Sequence, residues 1–405
     1  MIEVLKDHVA GFIGANADAA VPQVQSTLAK LSLCRTPAMG HHRYRCDQCE
    51  HETTVYNSCG DRHCPQCAGA KRADWLDSTA MLLLPDLDYY QVVFTIPDEL
   101  SSLALGNRRA MFDLLFRSAW QSLQQVIRDE QQYEAAAAMV LHTWNQKLDA
   151  HVHVHALVPG GGPSLREPGT WKFSRPPAHE NQRRLWLVDA DVLRVEFRDR
   201  FVAGLRRIRQ QRELKLTGEW LFLNDAAAFE EWLQPLTEIS WVTYIEKPPE
   251  TSSPEHVVKY LARYMTGGPI SDRRLVSHHH GIVTFMARAG NTHGGSDDTT
   301  EIPLAGPEFV RRWSLHILPK GYTKTRRFGG YSNRHRQRYI AECSALQAVE
   351  ASVTSSSPAE SPAGTAGEHL CPLCSSPLCC VSAETRPGWN VVMRSGDRPL
   401  WYDDG

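Results

Sequence analysis

Residues 151–158 read His-Val-His-Val-His-Ala-Leu-Val, and Pro-Gly-Gly-Gly-Pro follows at 159–163. A β-strand turns successive side chains to opposite faces, so His151, His153 and His155 share one face and Val152 and Val154 the other. The glycine- and proline-rich run then ends the strand. Two imidazoles side by side on a rigid strand make a divalent-metal site, and Asp149 shares their face. Three imidazoles in a row would repel one another if protonated, so an unliganded row has little structural use.

Outward from this strand, the pattern alternates sheet and helix. YYQVVFTI (89–96) and AAAMVLHTW (136–144) have strand composition, and MFDLLFRSAWQSLQQVI (111–127) shows helical three/four spacing. Residues 160–235 read as an insertion with a Gly/Pro/Arg-rich loop and two helices. ISWVTYIEK (239–247) is a further strand, PEHVVKYLARYM (254–265) a helix with Pro254 near its start, and HGIVTFMAR (280–288) the strand expected to end this core. That order predicts an α+β fold with one antiparallel sheet.

The chain has 405 residues, long enough for two or three domains. Its 42% hydrophobic and 22% charged residues describe a globular protein. No apolar run approaches the ~18–20 residues of a membrane-spanning helix, and the start lacks the basic lead-in of a signal peptide. A cytoplasmic location is expected. The net charge of −2 does not exclude a nucleic-acid partner, because residues 306–345 hold nine Lys/Arg against Glu308 and Glu342.

Eleven cysteines cluster at two places. Cys46-Asp-Gln-Cys49 and Cys64-Pro-Gln-Cys67 are two CxxC knuckles, expected to close a structural four-sulfur zinc shell. Cys34 and Cys59 are also within reach, as are His41, His42, His51 and His63, which leaves room for a second ion. Late in the chain, Cys371-Pro-Leu-Cys374 resembles half a zinc ribbon, with Cys379 and Cys380 just beyond it.

Tyr260 and Tyr264 stand one helical turn apart on one face. Beside a metal-binding His pair, a tyrosine phenolate can attack a phosphodiester and keep the energy of the broken bond in a phosphotyrosine. The basic stretch carries Arg311, Arg312, Lys320, Lys324, Arg326, Arg327, Arg334, Arg336 and Arg338, interleaved with Trp313, Tyr322, Phe328 and Tyr331. Cations for phosphates and aromatics for bases compose a surface for DNA, single-stranded above all. No Walker A, GxGxxG or GxSxG motif competes with this reading.

YRCDQCEHETTVYNSCGDRHCPQC (44–67), HVHVHALVPGGG (151–162), VVKYLARYM (257–265) and HILPKGYTKTRRFGG (316–330) together resemble the insertion-sequence-91 family of rolling-circle transposases. The catalytic domain of that family belongs to the HUH (His-hydrophobe-His) endonucleases. The resemblance implies an HUH-type antiparallel sheet with flanking helices and a small N-terminal zinc-binding module. It maps His-hydrophobe-His onto His153 and His155, holding Mg²⁺ or Mn²⁺, and the paired nucleophiles onto Tyr260 and Tyr264. His151, Asp149 and His142 are the candidates for a third ligand. Lys320, Lys324, Arg326, Arg327, Arg334 and Arg336 are the expected contacts to single-stranded or hairpin element ends. Relatives often carry Pro where this chain has Val152, and a more basic continuation where Met265-Thr-Gly-Gly follows Tyr264.

The layout expected from these readings is a helical segment at 1–33, a zinc-binding domain at 34–75 and an HUH domain at 85–290. A basic DNA-binding segment follows at 291–345, then a disordered linker at 346–370 and a Cys-containing tail at 371–405. Two other readings compete: a non-catalytic zinc-ribbon DNA-binding protein, and a metal-dependent hydrolase acting through an activated water. Against the hydrolase, Ala156-Leu157 follow the histidines where an Asp-His is usual in metallo-β-lactamase-like enzymes.

Overall fold

The computed structural model describes all residues except 86, 175–186, 247–267, 289–297, 352–368, 397 and 403–405. The chain divides into two compact units: Arg72–Pro269 with Leu318–Ser355, and Met1–Lys71 with Ile270–Ile317 and Ser356–Gly405. The fold is α+β, and among the described residues every strand pairing within the sheets is antiparallel.

The first unit is built on a five-stranded sheet. Its strands are β1 (Tyr89–Thr95), β2 (Ala136–Trp144), β3 (Ala150–Pro159), β4 (Val242–Glu246) and β5 (Thr325–Gly329), in the spatial order β5-β2-β3-β1-β4. The accompanying helices are α1 (Asp98–Gly106), α2 (Arg108–Val126), α3 (Ala190–Gln210), α4 (Ala226–Glu238) and α5 (Arg336–Ala351). Asp189 caps α3 by accepting from the Asp191 and Val192 amides, and Asp225 caps α4 by accepting from Ala228. These bonds satisfy amides that a helix start leaves without partners.

One sheet face is core from end to end. Val92, Phe94, Met139, Leu141, Val152, Val154 and Ala156 point into it and meet Phe112 and Phe116 of α2 and Phe197 and Phe201 of α3. Each aromatic fully buried there contributes about 1.5–3 kcal/mol of transfer free energy. The 160–235 stretch, expected as an insertion, thus supplies α3 as part of the layer that covers the sheet. The other face is divided. Tyr89, Ala136, Ala138, Val140 and Leu157 pack with Tyr331, Tyr339 and Cys343. Further along the same strands, alternation brings His142, His153 and His155 to that face.

The strand expected to end this core lies elsewhere. Ile282–Arg288 lies in the other unit, between Leu275–His279 and Thr299–Ala305. Its buried residues alternate, Val283, Phe285 and Ala287, which suits a sheet with one covered face. The place beside β2 is taken by β5, drawn from the basic stretch. Arg326 in β5 pairs with Asp113 of α2, tying that edge to the core helix.

In the other unit, the expected N-terminal helical segment forms two helices, Ile2–Ala15 and Pro22–Ser32. Three strands follow the order Leu378–Ala383, His41–Cys46, Glu52–Tyr56, so the tail supplies a strand to the N-terminal module. No helix among the described residues is long and apolar enough to cross a membrane.

Candidate metal centres and basic segment

Three imidazoles converge on the sheet. His142 stands directly opposite His153 in the β2–β3 ladder, and His155 is two residues on from His153. Their ring centroids are 5.3 Å (His142–His153), 4.7 Å (His142–His155) and 4.9 Å (His153–His155) apart. One ring nitrogen from each lies within 4.8 Å of the other two, and the side chains are almost entirely buried. Three nitrogens this close, held by two rigid strands, can occupy one face of a six-coordinate ion. Imidazole donors favour Mn²⁺ over Mg²⁺, which prefers oxygen.

Hydrogen bonds select which nitrogen His153 and His155 present. His153 donates Nδ1–H to the His151 carbonyl at 3.0 Å, leaving the lone pair on Nε2. At His155, the Gln91 amide nitrogen lies 3.1 Å from Nδ1. A half-turn of that amide presents its oxygen instead, and then Nδ1–H donates and Nε2 carries the lone pair. Trp144 stacks on His142 with centroids 4.7 Å apart, and the Lys324 ammonium sits 4.9 Å from the Trp144 ring.

His151 does not join this group. Its Nδ1 lies 3.1 Å from Asp98 Oδ1, at the end of the row. Asp149 is hydrogen-bonded to Asn145 within the β2–β3 turn, through its amide and through Oδ2. Of the candidates for a third ligand, His142 is the one brought within reach of both His153 and His155. Tyr260 and Tyr264, with the helix expected around them, lie outside the described residues. The described buried tyrosines are poor nucleophiles: burial holds the Tyr133, Tyr322, Tyr331 and Tyr339 phenols well above their usual range.

The cysteines partition differently from the expectation that Cys46, Cys49, Cys64 and Cys67 share one shell. Cys34, Cys59, Cys64 and Cys67 form one buried tetrad, with the sulfurs of Cys34–Cys67 and Cys59–Cys67 3.6 Å apart and those of Cys34–Cys64 3.5 Å. Cys46 and Cys49 belong to a second group with Cys371 and Cys374. Local spacing fixes which two thiols of a knuckle act together. It leaves open which knuckle they face, and here the pairing of His41–Cys46 with Leu378–Ala383 makes that choice. The repeated CxxC spacing at Cys371 was the sequence signal for this partner.

The basic stretch is similarly redistributed. Arg326 is committed to Asp113, and Arg327 donates to both Oγ and the carbonyl of Ser78 at 2.9 Å. Burial, then the nearby Arg336, lowers the Arg327 pKa. The interleaved aromatics also serve packing: Trp313, Tyr322 and Tyr331 are buried, and Phe328 stacks on Trp120 at 5.5 Å. Lys320, Arg334 and Arg336 are exposed.

Comparison with known proteins adds the family context. A family model described as "Putative transposase" matches residues 137–338, and one described as "Transposase zinc-binding domain" matches residues 4–96. "Putative transposase y4qJ" of Sinorhizobium fredii (strain NBRC 101917 / NGR234) is 35% identical over 318 residues, covering 78% of this chain and 76% of the relative. "Transposase for insertion sequence element IS801" of Pseudomonas savastanoi pv. phaseolicola is 29% identical over 318 residues, covering 78% of this chain and 72% of the relative. No solved structure matches the chain.

Proposed function

The chain belongs to the insertion-sequence-91 family of transposases, and we propose that it acts on DNA by nicking one strand at an element end and forming a 5′-phosphotyrosine link. What carries this reading is the His142–His153–His155 cluster, three buried imidazoles gathered on one face of the sheet inside the matched transposase region.

In this reading His153 and His155, with His142 as third ligand, hold Mn²⁺ or Mg²⁺. When bound, the ion polarises the scissile phosphate and offsets the charge that develops on it. The phenolate oxygen of Tyr260 or Tyr264 attacks phosphorus in line. The phosphorus–3′-oxygen bond breaks, the phenolic proton leaves to solvent, and the departing 3′ oxygen gains a proton as a free hydroxyl. That hydroxyl is the nucleophile for later rejoining, and the second tyrosine accepts the other strand or resolves the intermediate. His153 and His155 keep their orientation through the His151 carbonyl and Gln91, so the nitrogens that hold the ion are set before DNA arrives.

The buried tetrad Cys34, Cys59, Cys64 and Cys67 would hold zinc in the N-terminal domain. It has four sulfurs and no open position, so its role is structural. That domain and the exposed cations of the basic stretch would recognise element ends, as single strands or hairpins. The protein would work in the cytoplasm, on nucleoid DNA.

A covalent-adduct assay tests this. Protein, Mn²⁺ and single-stranded DNA from an element end are run on a denaturing gel beside Tyr260→Phe, Tyr264→Phe and the double variant His153→Ala/His155→Ala. A slow protein–DNA band, lost without metal or without the tyrosines, is expected. Cleavage without an adduct would favour the hydrolase, and binding without cleavage a zinc-ribbon DNA-binding protein.

A further inference from the structure

We propose that Cys46, Cys49, Cys371 and Cys374 hold a second structural zinc ion, a clasp that makes the C-terminal segment part of the N-terminal domain. The matched zinc-binding domain spans residues 4–96 and the matched transposase region 137–338, so Cys371 and Cys374 fall outside both.

The argument begins with what the first tetrad leaves over. Cys34, Cys59, Cys64 and Cys67 complete one shell by themselves. Cys46 and Cys49 are then half a shell, and a closed structural site needs two more donors. Cys371 and Cys374 provide them. Sulfur separations are 3.4 Å for Cys46–Cys374, 3.5 Å for Cys49–Cys371 and 3.5 Å for Cys49–Cys374. Four sulfurs about 2.3 Å from one ion stand about 3.8 Å apart at the edges of a tetrahedron, whereas a disulfide brings them to about 2.0 Å. The observed spacing is that of a shared ion.

The two knuckles are also built alike, although more than 320 residues separate them. In the first, the Glu50 amide donates to the Cys46 carbonyl at 2.9 Å and the Cys46 amide to the His51 carbonyl at 2.9 Å. In the second, the Ser375 amide donates to the Cys371 carbonyl at 2.9 Å and the Cys371 amide to the Ser376 carbonyl at 2.8 Å. The residue after each knuckle takes a left-handed conformation, Glu50 at φ 57° and Ser375 at φ 59°. A non-glycine residue rarely adopts that conformation. Its occurrence at the same step of both turns points to one repeated ligand geometry.

The surrounding contacts hold the knuckles face to face. The His41–Cys46 strand runs into the first knuckle and pairs antiparallel with Leu378–Ala383, which leaves the second. Ser376 Oγ donates to Gln48 Oε1, and the Cys379 thiol lies 3.1 Å from Asp47 Oδ2. Further along the tail, Val392 and Met393 pack with Ala29, Leu33 and Met39, beside Trp389 and Trp401. Without the ion, this small apolar cluster, one edge strand and a few polar contacts, such as Arg386 to the Cys59 carbonyl, would have to hold the tail.

Thiol footprinting on the intact, zinc-loaded chain tests the clasp without any variant. Cys49, Cys374, Cys379 and Cys380 are all solvent-facing. Brief iodoacetamide treatment should label Cys379 and Cys380 while leaving Cys49 and Cys374 protected by at least tenfold. Native mass spectrometry should find two zinc ions in the full chain, one in Cys371→Ser/Cys374→Ser, and two again in Cys374→His. Equal labelling of the four cysteines, one zinc in the unmodified chain, or two in the double serine variant would each overturn the proposal. None of these readouts depends on DNA cleavage, so the clasp and the nicking mechanism can fail separately.

Discussion

His142 and His153 face each other across the β2–β3 ladder as a register pair, their rings 5.3 Å apart and nearly perpendicular at 86°. The contact joins a histidine in a run of small apolar residues to the middle of the His-Val-His-Val-His strand. Replacing His142 with Ala is expected to weaken Mn²⁺ binding roughly 10–100-fold or more, the range seen when support for a metal site is lost. His151→Ala, which removes a ring turned toward Asp98, should change it much less. Isothermal titration with Mn²⁺ checks both, and a loss in His151→Ala as large as in His142→Ala would show that His151 contributes to the site.

Gln91 sets the tautomer of His155. Gln91→Leu removes the amide group 3.1 Å from His155 Nδ1, and Mn²⁺ affinity should fall about 10–100-fold with the fold intact. Gln91→Glu, which can only accept from Nδ1–H, should retain or tighten binding. Electron paramagnetic resonance of added Mn²⁺ reads free against bound ion directly.

Cations of the basic stretch should separate by role. Arg334→Ala and Arg336→Ala are expected to weaken binding to single-stranded DNA and each to reduce the slope of log affinity against log salt by about 0.7. Arg326→Ala removes the ion pair with Asp113 and should lower thermal stability as well as binding. Fluorescence anisotropy at several salt concentrations, with melting curves alongside, distinguishes the two. A melting temperature unchanged in Arg326→Ala would contradict its anchoring role.

Glu308 carries a pH signature. Hydrogen bonds from Arg311, at 2.6 and 2.8 Å, and from Arg312, at 2.8 Å, hold its carboxyl at about 2 against an ordinary 4.5. A carboxylate whose pKa is lowered by folding stabilises the folded state above its unfolded pKa, and that contribution fades as pH falls toward the folded value. With a third of the side chain exposed, screening reduces the effect to about 1 kcal/mol. Glu308→Gln should therefore melt earlier at pH 7, and the difference from the unmodified protein should vanish as pH approaches 2. A constant difference across that window would rule out the ion pair as its source.

Gly329 ends β5 at φ 57°, and a Cβ there would lie 2.1 Å from the Ala135 carbonyl oxygen and 2.5 Å from Trp120. The oxygen belongs to the backbone and cannot swing aside. Gly329→Ala is expected to destabilise its unit by about 3 kcal/mol, combining overpacking with a left-handed alanine. Urea unfolding measures it, and a loss below about 1 kcal/mol would mean that the strand end shifts freely.

Local geometry was legible in the sequence because it repeats over a few residues. Alternation put Val152 and Val154 in the core and the histidines opposite, CxxC spacing marked each zinc knuckle, and the grouped motifs carried the family. Pairings over long separations were not legible, because sheet register and packing decide them. The chain order could not say that Cys46 and Cys49 face Cys371 and Cys374, or that Thr325–Gly329 joins the sheet beside β2 while Ile282–Arg288 belongs to another sheet. Nor could composition show that Trp313, Tyr322 and Tyr331 are needed as buried surface. An aromatic or an arginine reads the same in a sequence whether it meets DNA or the core. Only the neighbours that folding brings against it make the difference, and for Arg326 that neighbour is Asp113.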